Sequence, residues 1–255
     1  VDTPRVLARD LVIGVAVGFF SGLFGVGGGI VLVPFLVVAL KVAQKTAQAT
    51  SLVVVPMGAS IGAVTYALGG QVAWWAVLPL LAGGFVATLV GTWLLPKTAD
   101  RWLTAAFAVL LLAAAIRLVW QGVSPDTSEV AELSALVVAG LVLSGFAMGA
   151  LSSLMGVGGG IIVIPILVWG FGFSQQLAAG TSLVVMIPLA LLGAWRLTKG
   201  GWTQWPQGLR IGAGSMVGAF GGASVALVAA EAPLQIAFGG LLVLAGVQML
   251  WKARK

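Results

Sequence analysis

One fourteen-residue segment occurs twice in this chain, and its copies hold a common register over most of the sequence. Residues 21–34 read SGLFGVGGGIVLVP and residues 152–165 read SSLMGVGGGIIVIP, so Gly25 corresponds to Gly156 at an offset of 131. The same offset pairs Gln44 with Gln175, Thr50-Ser51-Leu52-Val53-Val54 with Thr181-Ser182-Leu183-Val184-Val185, and Gly62-Ala63 with Gly193-Ala194. It continues through Gly69-Gly70 with Gly200-Gly201, Trp74 with Trp205, Phe107 with Phe238 and Trp120 with Trp251. A chance pairing of two glycine runs does not keep register without a gap for about 110 residues. The chain is therefore two copies of one structural unit, and any fold it adopts must accommodate that unit twice.

Each unit begins with a long apolar stretch, 10–40 or 133–173, interrupted by GVGGG. Three spans of helical length follow, at 46–68, 72–95 and 102–120, with counterparts at 177–198, 203–229 and 232–251. Such stretches are long enough to cross the roughly 30 Å hydrocarbon core of a bilayer. Hydrophobic residues make up 60% of the 255-residue chain and charged residues 8%. About a quarter of the residues in a soluble domain are charged, so this chain lacks the polar surface that water requires. The joint between the units, with Ser124, Pro125, Asp126, Ser128 and Glu129, reads as an exposed loop. The expected division is 1–123, a linker at 124–132, and 133–255.

Charge placement chooses between two topologies. If 10–40 crosses once, each half crosses four times, the halves run parallel, and the basic residues are split between the two sides. If 10–40 instead dips in and returns as two short helices meeting at GVGGG, each half makes three full crossings and the second half is inverted. Arg5, Arg9, Lys41, Lys45, Lys97, Arg101, Arg196, Lys199, Lys252, Arg254 and Lys255 then fall on one side. Asp126, Glu129, Glu132 and Glu231 fall on the other, with Arg117 the nearby base. Positive residues concentrate on the cytoplasmic side of membranes. The expected fold is an all-α integral membrane protein of two inverted-topology repeats. Each repeat is a re-entrant broken-helix hairpin plus three transmembrane helices, and both termini are cytoplasmic. Trp74, Trp75, Trp102, Trp120, Trp202, Trp205 and Trp251 fall near segment ends, where an interfacial belt accounts for them.

Three successive glycines do not sit comfortably in a helix, since each costs about 1 kcal/mol against alanine. They permit positive φ and close approach of another group. Broken helices at membrane depth occur only where protein or a wet cavity surrounds the freed backbone. A helix that restarts at Gly29 or Gly160 offers unpaired N–H donors and the positive end of its dipole. Two such ends brought together from opposite faces make an anion site near the midplane. Tight packing of helices is the bland alternative for the same glycines. The candidate binding residues are Gly25, Gly27, Gly28 and Gly29 with Ser21, and Gly156, Gly158, Gly159 and Gly160 with Ser152. No Lys-Ser/Thr follows the glycines, so a nucleotide P-loop is a poor fit.

The second candidate group is Gln48, Thr50 and Ser51 with Thr181 and Ser182. Hydroxyls at a helix start cap N–H groups and also donate to an oxyanion. Simple capping accounts for them equally well. Arg196, Lys199 and Arg210 cluster around one loop and read as interfacial cations, with Arg210 the deepest. Arg210 aligns with Pro79 and Arg117 with Gln248, so neither has a counterpart in the other half. Two helix ends of about half a charge each balance a monoanion better than a dianion.

The chain has neither cysteine nor histidine, which removes disulfides, thiolate catalysis, haem ligation by histidine and the usual zinc sites. No paired carboxylates, nucleophile–base pair or metal cluster is evident. The protein is not expected to be an enzyme or to need a cofactor. Asp10, Asp100 and Glu231 all read as segment ends, which leaves no carboxylate for a proton relay. The net charge of +6 arises from bases at segment ends, so nucleic acid is not an expected partner. No small-residue cleavage site follows the first apolar run, and no removable signal peptide is expected.

GLFGVGGGIVLVP, repeated as SLMGVGGGIIVIP, together with the ATSL and GTSL segments, resembles the TauE/SafE family of sulfite exporters. The resemblance covers nearly the whole chain. It implies a secondary transporter in a prokaryotic inner (plasma) membrane that moves sulfite, a sulfonate or a related organic acid, usually outward. The partners it implies are that small anion and the lipid bilayer, with a homodimer as one open assembly. The rivals are an anion channel of the same architecture and a non-transporting membrane scaffold or sensor.

Overall fold

The computed structural model describes residues 4–94, 112, 116, 134–156 and 158–253. Among these residues the chain is helical: α1 (Pro4–Phe24), α2 (Gly29–Val38), α3 (Gln44–Leu68), α4 (Trp74–Leu94), α5 (Ala135–Met155), α6 (Gly160–Phe171), α7 (Gln175–Thr198), α8 (Trp205–Val228) and α9 (Glu231–Ala253). Six of them, α1, α3, α4, α5, α7 and α8, are long and apolar enough to cross a membrane. Apart from residues 112 and 116, the expected third span at 102–120, together with Lys97, Arg101, Arg117 and the linker at 124–132, lies outside the described residues.

The hairpin at each glycine run is unequal. Its first arm, α1 or α5, has 21 residues, and its second, α2 or α6, has 10 or 12. At 1.5 Å per residue the first arm is about 32 Å long and the second about half that. The expectation of two short helices therefore holds for the second arm alone. The first arm begins at Pro4, six residues before the apolar stretch does. Proline's fixed φ suits the first helical position, and Arg5 and Arg9 continue the helix despite their charge.

Close glycine contacts fix the helix directions. Gly14 of α1 faces Ile211 and Gly214 of α8, Gly18 faces Ser215 and Gly22 faces Ala219, so α1 and α8 run parallel. Gly208 faces Val53 and Gly212 faces Met57, so α3 runs with them. Gly145 faces Leu80, Gly149 faces Gly84 and Gly91 faces Ser153, which makes α4 and α5 parallel to each other. Gly62 of α3 faces Leu183 of α7 while Gly193 of α7 faces Leu52 of α3, so this central pair is antiparallel. Repeat partners α3 and α7 thus run in opposite senses. So do α1 and α5, and α4 and α8, an arrangement compatible with inverted repeats.

Small residues make these approaches close. A Cβ built on Gly218 would overlap the main chain of Val15, and one on Gly145 that of Leu80. Lipid tails are as apolar as leucine, so helix association in a bilayer relies on such packing. Each zipper joins the first arm of one half to a helix of the other. The two halves are consequently interlocked: α3 and α7 lie between the α1–α8 and α4–α5 pairs, with Leu52, Val55, Leu183 and Met186 in the main core.

The helix directions also sort the charges. Arg5 and Arg9 in α1, Lys41 and Lys45 beside the start of α3, Arg196 and Lys199 at the end of α7, and Arg210 near the start of α8 share one end of the bundle. Glu231 opens α9 at the other end, where its Oε1 accepts the N–H of Gln175, the first residue of α7, at 2.8 Å. One acidic residue departs from expectation. Asp10 is not at a segment end: it lies two turns into α1, fully buried, and binds Arg210 Nε at 3.0 Å and Arg9 Nη2 at 2.9 Å.

Candidate functional site

The glycine runs are left-handed turns. Gly25, Gly27 and Gly28 have φ of 72°, 77° and 71°, and Gly156, Gly158 and Gly159 have 66°, 92° and 74°. Residues with a Cβ rarely adopt this region, which explains glycine at these positions in both copies. The turn begins when Gly25 N–H donates to the Ser21 carbonyl at 2.8 Å, and Gly156 N–H likewise to Ser152 at 2.9 Å.

The helices restart at Gly29 and Gly160 without side-chain caps. Val31 and Leu32 donate to the Gly28 carbonyl, and Ile162 and Val163 to that of Gly159. Among the described residues the N–H groups of Gly29, Ile30, Gly160 and Ile161 find no acceptor. They belong to the first turns of α2 and α6, at the positive ends of two helix dipoles.

The two turns lie against one another. A Cβ on Gly160 would stand 2.6 Å from the Gly25 carbonyl oxygen, and one on Gly158 3.2 Å from that of Val26. Each half also steadies the other's turn. Ser51 Oγ donates to the Gly156 carbonyl at 2.7 Å, and Ser182 Oγ to the Gly25 carbonyl at 3.1 Å. Thr50 Oγ1 accepts the Gln204 N–H at 3.1 Å, and Thr181 Oγ1 accepts that of Ala73 at 2.9 Å, which fixes the entries to α8 and α4. Thr181 Oγ1 in turn donates to the Leu177 carbonyl at 2.7 Å. Four candidate hydroxyls are thus engaged with the main chain across the repeat interface.

Ser21 and Ser152 differ from them. Both are buried, and neither hydroxyl has a hydrogen-bond partner among the described residues. Ser21 lies beside the start of α2, its Cβ 3.4 Å from where a Gly28 Cβ would be. Ser152 holds the equivalent place in the repeat. A buried hydroxyl without a partner is costly, and here the cost recurs at equivalent positions of the two halves. Gln48 breaks the symmetry. It packs against Gly156, its amide makes no hydrogen bond among the described residues, and its repeat partner is Ala179, which faces Gly25.

Three neighbours of the turns escape a sequence reading. The chain's single tyrosine, Tyr66, donates its hydroxyl to the Gly22 carbonyl at 2.9 Å, just before the first turn. A lone tyrosine inside an apolar span is a visible signal for such a role. Met186 Sδ lies against both Gly27 and Gly158, and Val55, its repeat partner, touches Gly27. No sequence feature distinguishes these two from ordinary core residues. The described cations gather toward one end of the bundle. Arg210 is held by Asp10, and Arg196 donates to the Leu89 carbonyl at 2.8 Å and to Thr92. No group of three potential metal ligands occurs among the described residues.

Fold and site together define a multi-pass helical membrane protein with two broken helices apposed in its interior. The chain belongs to the sulfite exporter TauE/SafE family, whose model matches residues 2–140 and 141–255. It is 28% identical over 200 residues to a "Probable membrane transporter protein" of Haemophilus influenzae, covering 75% of this chain and 74% of that one. It is 24% identical over 241 residues to the "Probable membrane transporter protein YdhB" of Bacillus subtilis, covering 92% and 96%. With the YunE protein of the same organism the match is 26% over 113 residues, which spans 44% of this chain and 41% of that one. No solved structure matches the chain. It is a member of a membrane-transporter family, and that membership is consistent with a role other than catalysis.

Proposed function

We propose that this protein is a secondary transporter that carries a small sulfur oxyanion, sulfite or an organosulfonate, outward across a prokaryotic inner membrane. The observation that carries this reading is the repeated pair of buried serine hydroxyls, Ser21 and Ser152, which find no partner among the described residues, together with the uncapped starts of α2 and α6. Hydroxyls and N–H groups are the donors an oxyanion takes in place of water, and the two dipole ends supply about one positive charge between them. A monoanion, bisulfite or a monosulfonate, matches that charge. Gln48 adds an amide on one side, and Ser51 and Ser182 hold the turns in place. Alternating access around residues 25–29 and 156–160 exposes the site to each side in turn.

The test is melting of the purified protein in sulfite, methanesulfonate and chloride at equal ionic strength. Ligand at a hundred times its Kd stabilises the native state by about 2.7 kcal/mol, so sulfite or the sulfonate raises Tm and chloride does not. Saturable counterflow in proteoliposomes then separates a carrier from a channel. If no oxyanion stabilises the protein or exchanges, the glycines serve packing and the proposal fails.

A further inference from the structure

On the reading that the paired turns hold an oxyanion, we propose that Met186 is the residue that sets the size of the substituent the anion carries. Its side chain fills the space the glycines leave open. A Cβ on Gly158 would stand 2.7 Å from Met186 Sδ, one on Gly160 2.8 Å from its Cε, and one on Gly27 would overlap Sδ. One thioether therefore borders glycines from both turns. Met186 is wholly buried, in the centre of the molecule.

A thioether has no donor to offer an anion. It gives the oxygens nothing and gives an apolar group dispersion contact, so the anion's head points toward Ser21, Ser152 and the free N–H groups, and its substituent toward Met186. The repeat-related position is different. Val55, the repeat partner of Met186, brings Cγ1 to 3.1 Å from a Gly27 Cβ position. A β-branched side chain is stiff at χ1, whereas methionine has three rotatable bonds and adapts to irregular space. The site has one fixed apolar wall and one movable one. The movable side chain occupies the substituent's place when the site is empty and withdraws by the amount that the substituent needs.

Met186→Val copies the Val55 wall, and Met186→Ala removes more of the side chain. Both are compared with wild type for binding of sulfite, methanesulfonate and butanesulfonate, by calorimetry on purified protein whose melting is checked first. The expected result is a shift of at least about tenfold in the ratio of butanesulfonate to sulfite affinity toward the larger anion, with Met186→Leu close to wild type. An unchanged ratio in either folded variant overturns the role of Met186 and leaves the anion reading intact. Absence of binding by the wild type overturns both. A second measurement needs no cavity-forming variant. With ¹³C-methyl methionine, the Met186 ε-methyl resonance, assigned through Met186→Leu, moves on addition of butanesulfonate to wild-type protein, and an unmoved resonance at saturation overturns the inference.

Discussion

At the scale of single residues, the serines divide into two kinds by what their hydroxyls touch. Ser51 and Ser182 donate across the repeat interface to the carbonyls of Gly156 and Gly25. Replacing either by alanine leaves a buried acceptor without its donor, at a cost of about 1–3 kcal/mol. Ser21→Ala and Ser152→Ala remove groups with no partner to lose, so Tm stays level or rises. Anion affinity responds the other way: it falls by about tenfold or more in the Ser21 and Ser152 variants when measured by calorimetry. A fall in Tm with unchanged affinity for Ser21→Ala would place that hydroxyl in the packing instead. The glycine turns were legible in the sequence, because only a residue without Cβ occupies φ near +70° at little cost. Which hydroxyl stays free was not, since serine in either kind of place is written the same way. The distinction arises only when α7 of one half meets the turn of the other.

At the scale of elements, the spans at 46–68, 72–95, 177–198 and 203–229 were legible to within about two residues, because apolar length marks a crossing. The length of α1 was not, as Arg5, Arg9 and Asp10 interrupt its apolar run. The reason lies in another helix: Asp10 is neutralised by Arg210 of α8. Asp10→Asn removes the carboxylate that Arg210, 18% exposed, meets among packed helices, while Arg9, 45% exposed, still reaches water. Loss of one partner of a buried pair costs on the order of 3 kcal/mol, so this variant melts early in detergent. Arg210→Gln melts early as well, and its affinity for the anion stays within about twofold of wild type. A tenfold loss in the folded Arg210 variant would mean that a cation contacts the substrate, and the dipole-only site would be wrong. Glycines grade the same way by neighbour. A Cβ at Gly18 would overlap the Ser215 main chain, whereas at Gly240 in α9 it meets nothing within 4 Å among the described residues. Gly18→Ala forces α1 and α8 apart and lowers Tm, at a cost of about 1–3 kcal/mol. Gly240→Ala raises Tm or leaves it unchanged, since alanine is the better helix former by about 1 kcal/mol.

At the scale of the whole molecule, the helix directions and the charges bear on one question, which way round the protein lies. The α1, α3 and α8 helices start at the end of the bundle where Arg5, Arg9, Lys41, Lys45, Arg196, Lys199 and Arg210 gather, and α7 finishes there. Leu68, which ends α3, and Ala230, which precedes α9, lie at the opposite end with Glu231. Positive residues near the ends of crossings stay in the cytoplasm, so Ala43 and Lys199 are expected inside and Leu68 and Ala230 outside. The absence of cysteine from the chain makes the test direct, because any thiol introduced is the sole one. Four variants, Ala43→Cys, Lys199→Cys, Leu68→Cys and Ala230→Cys, are treated in intact cells with a thiol reagent that does not cross membranes. All four positions are exposed and lie at or just beyond helix ends. Labelling of Leu68→Cys and Ala230→Cys, with Ala43→Cys and Lys199→Cys protected until the cells are opened, is the expected pattern. The reverse pattern would turn the protein over and make the basic end external. Labelling of one residue from each pair would be more damaging, since α3 would then no longer carry the chain from one face to the other, and two inverted halves around a shared anion site would lose their geometric basis.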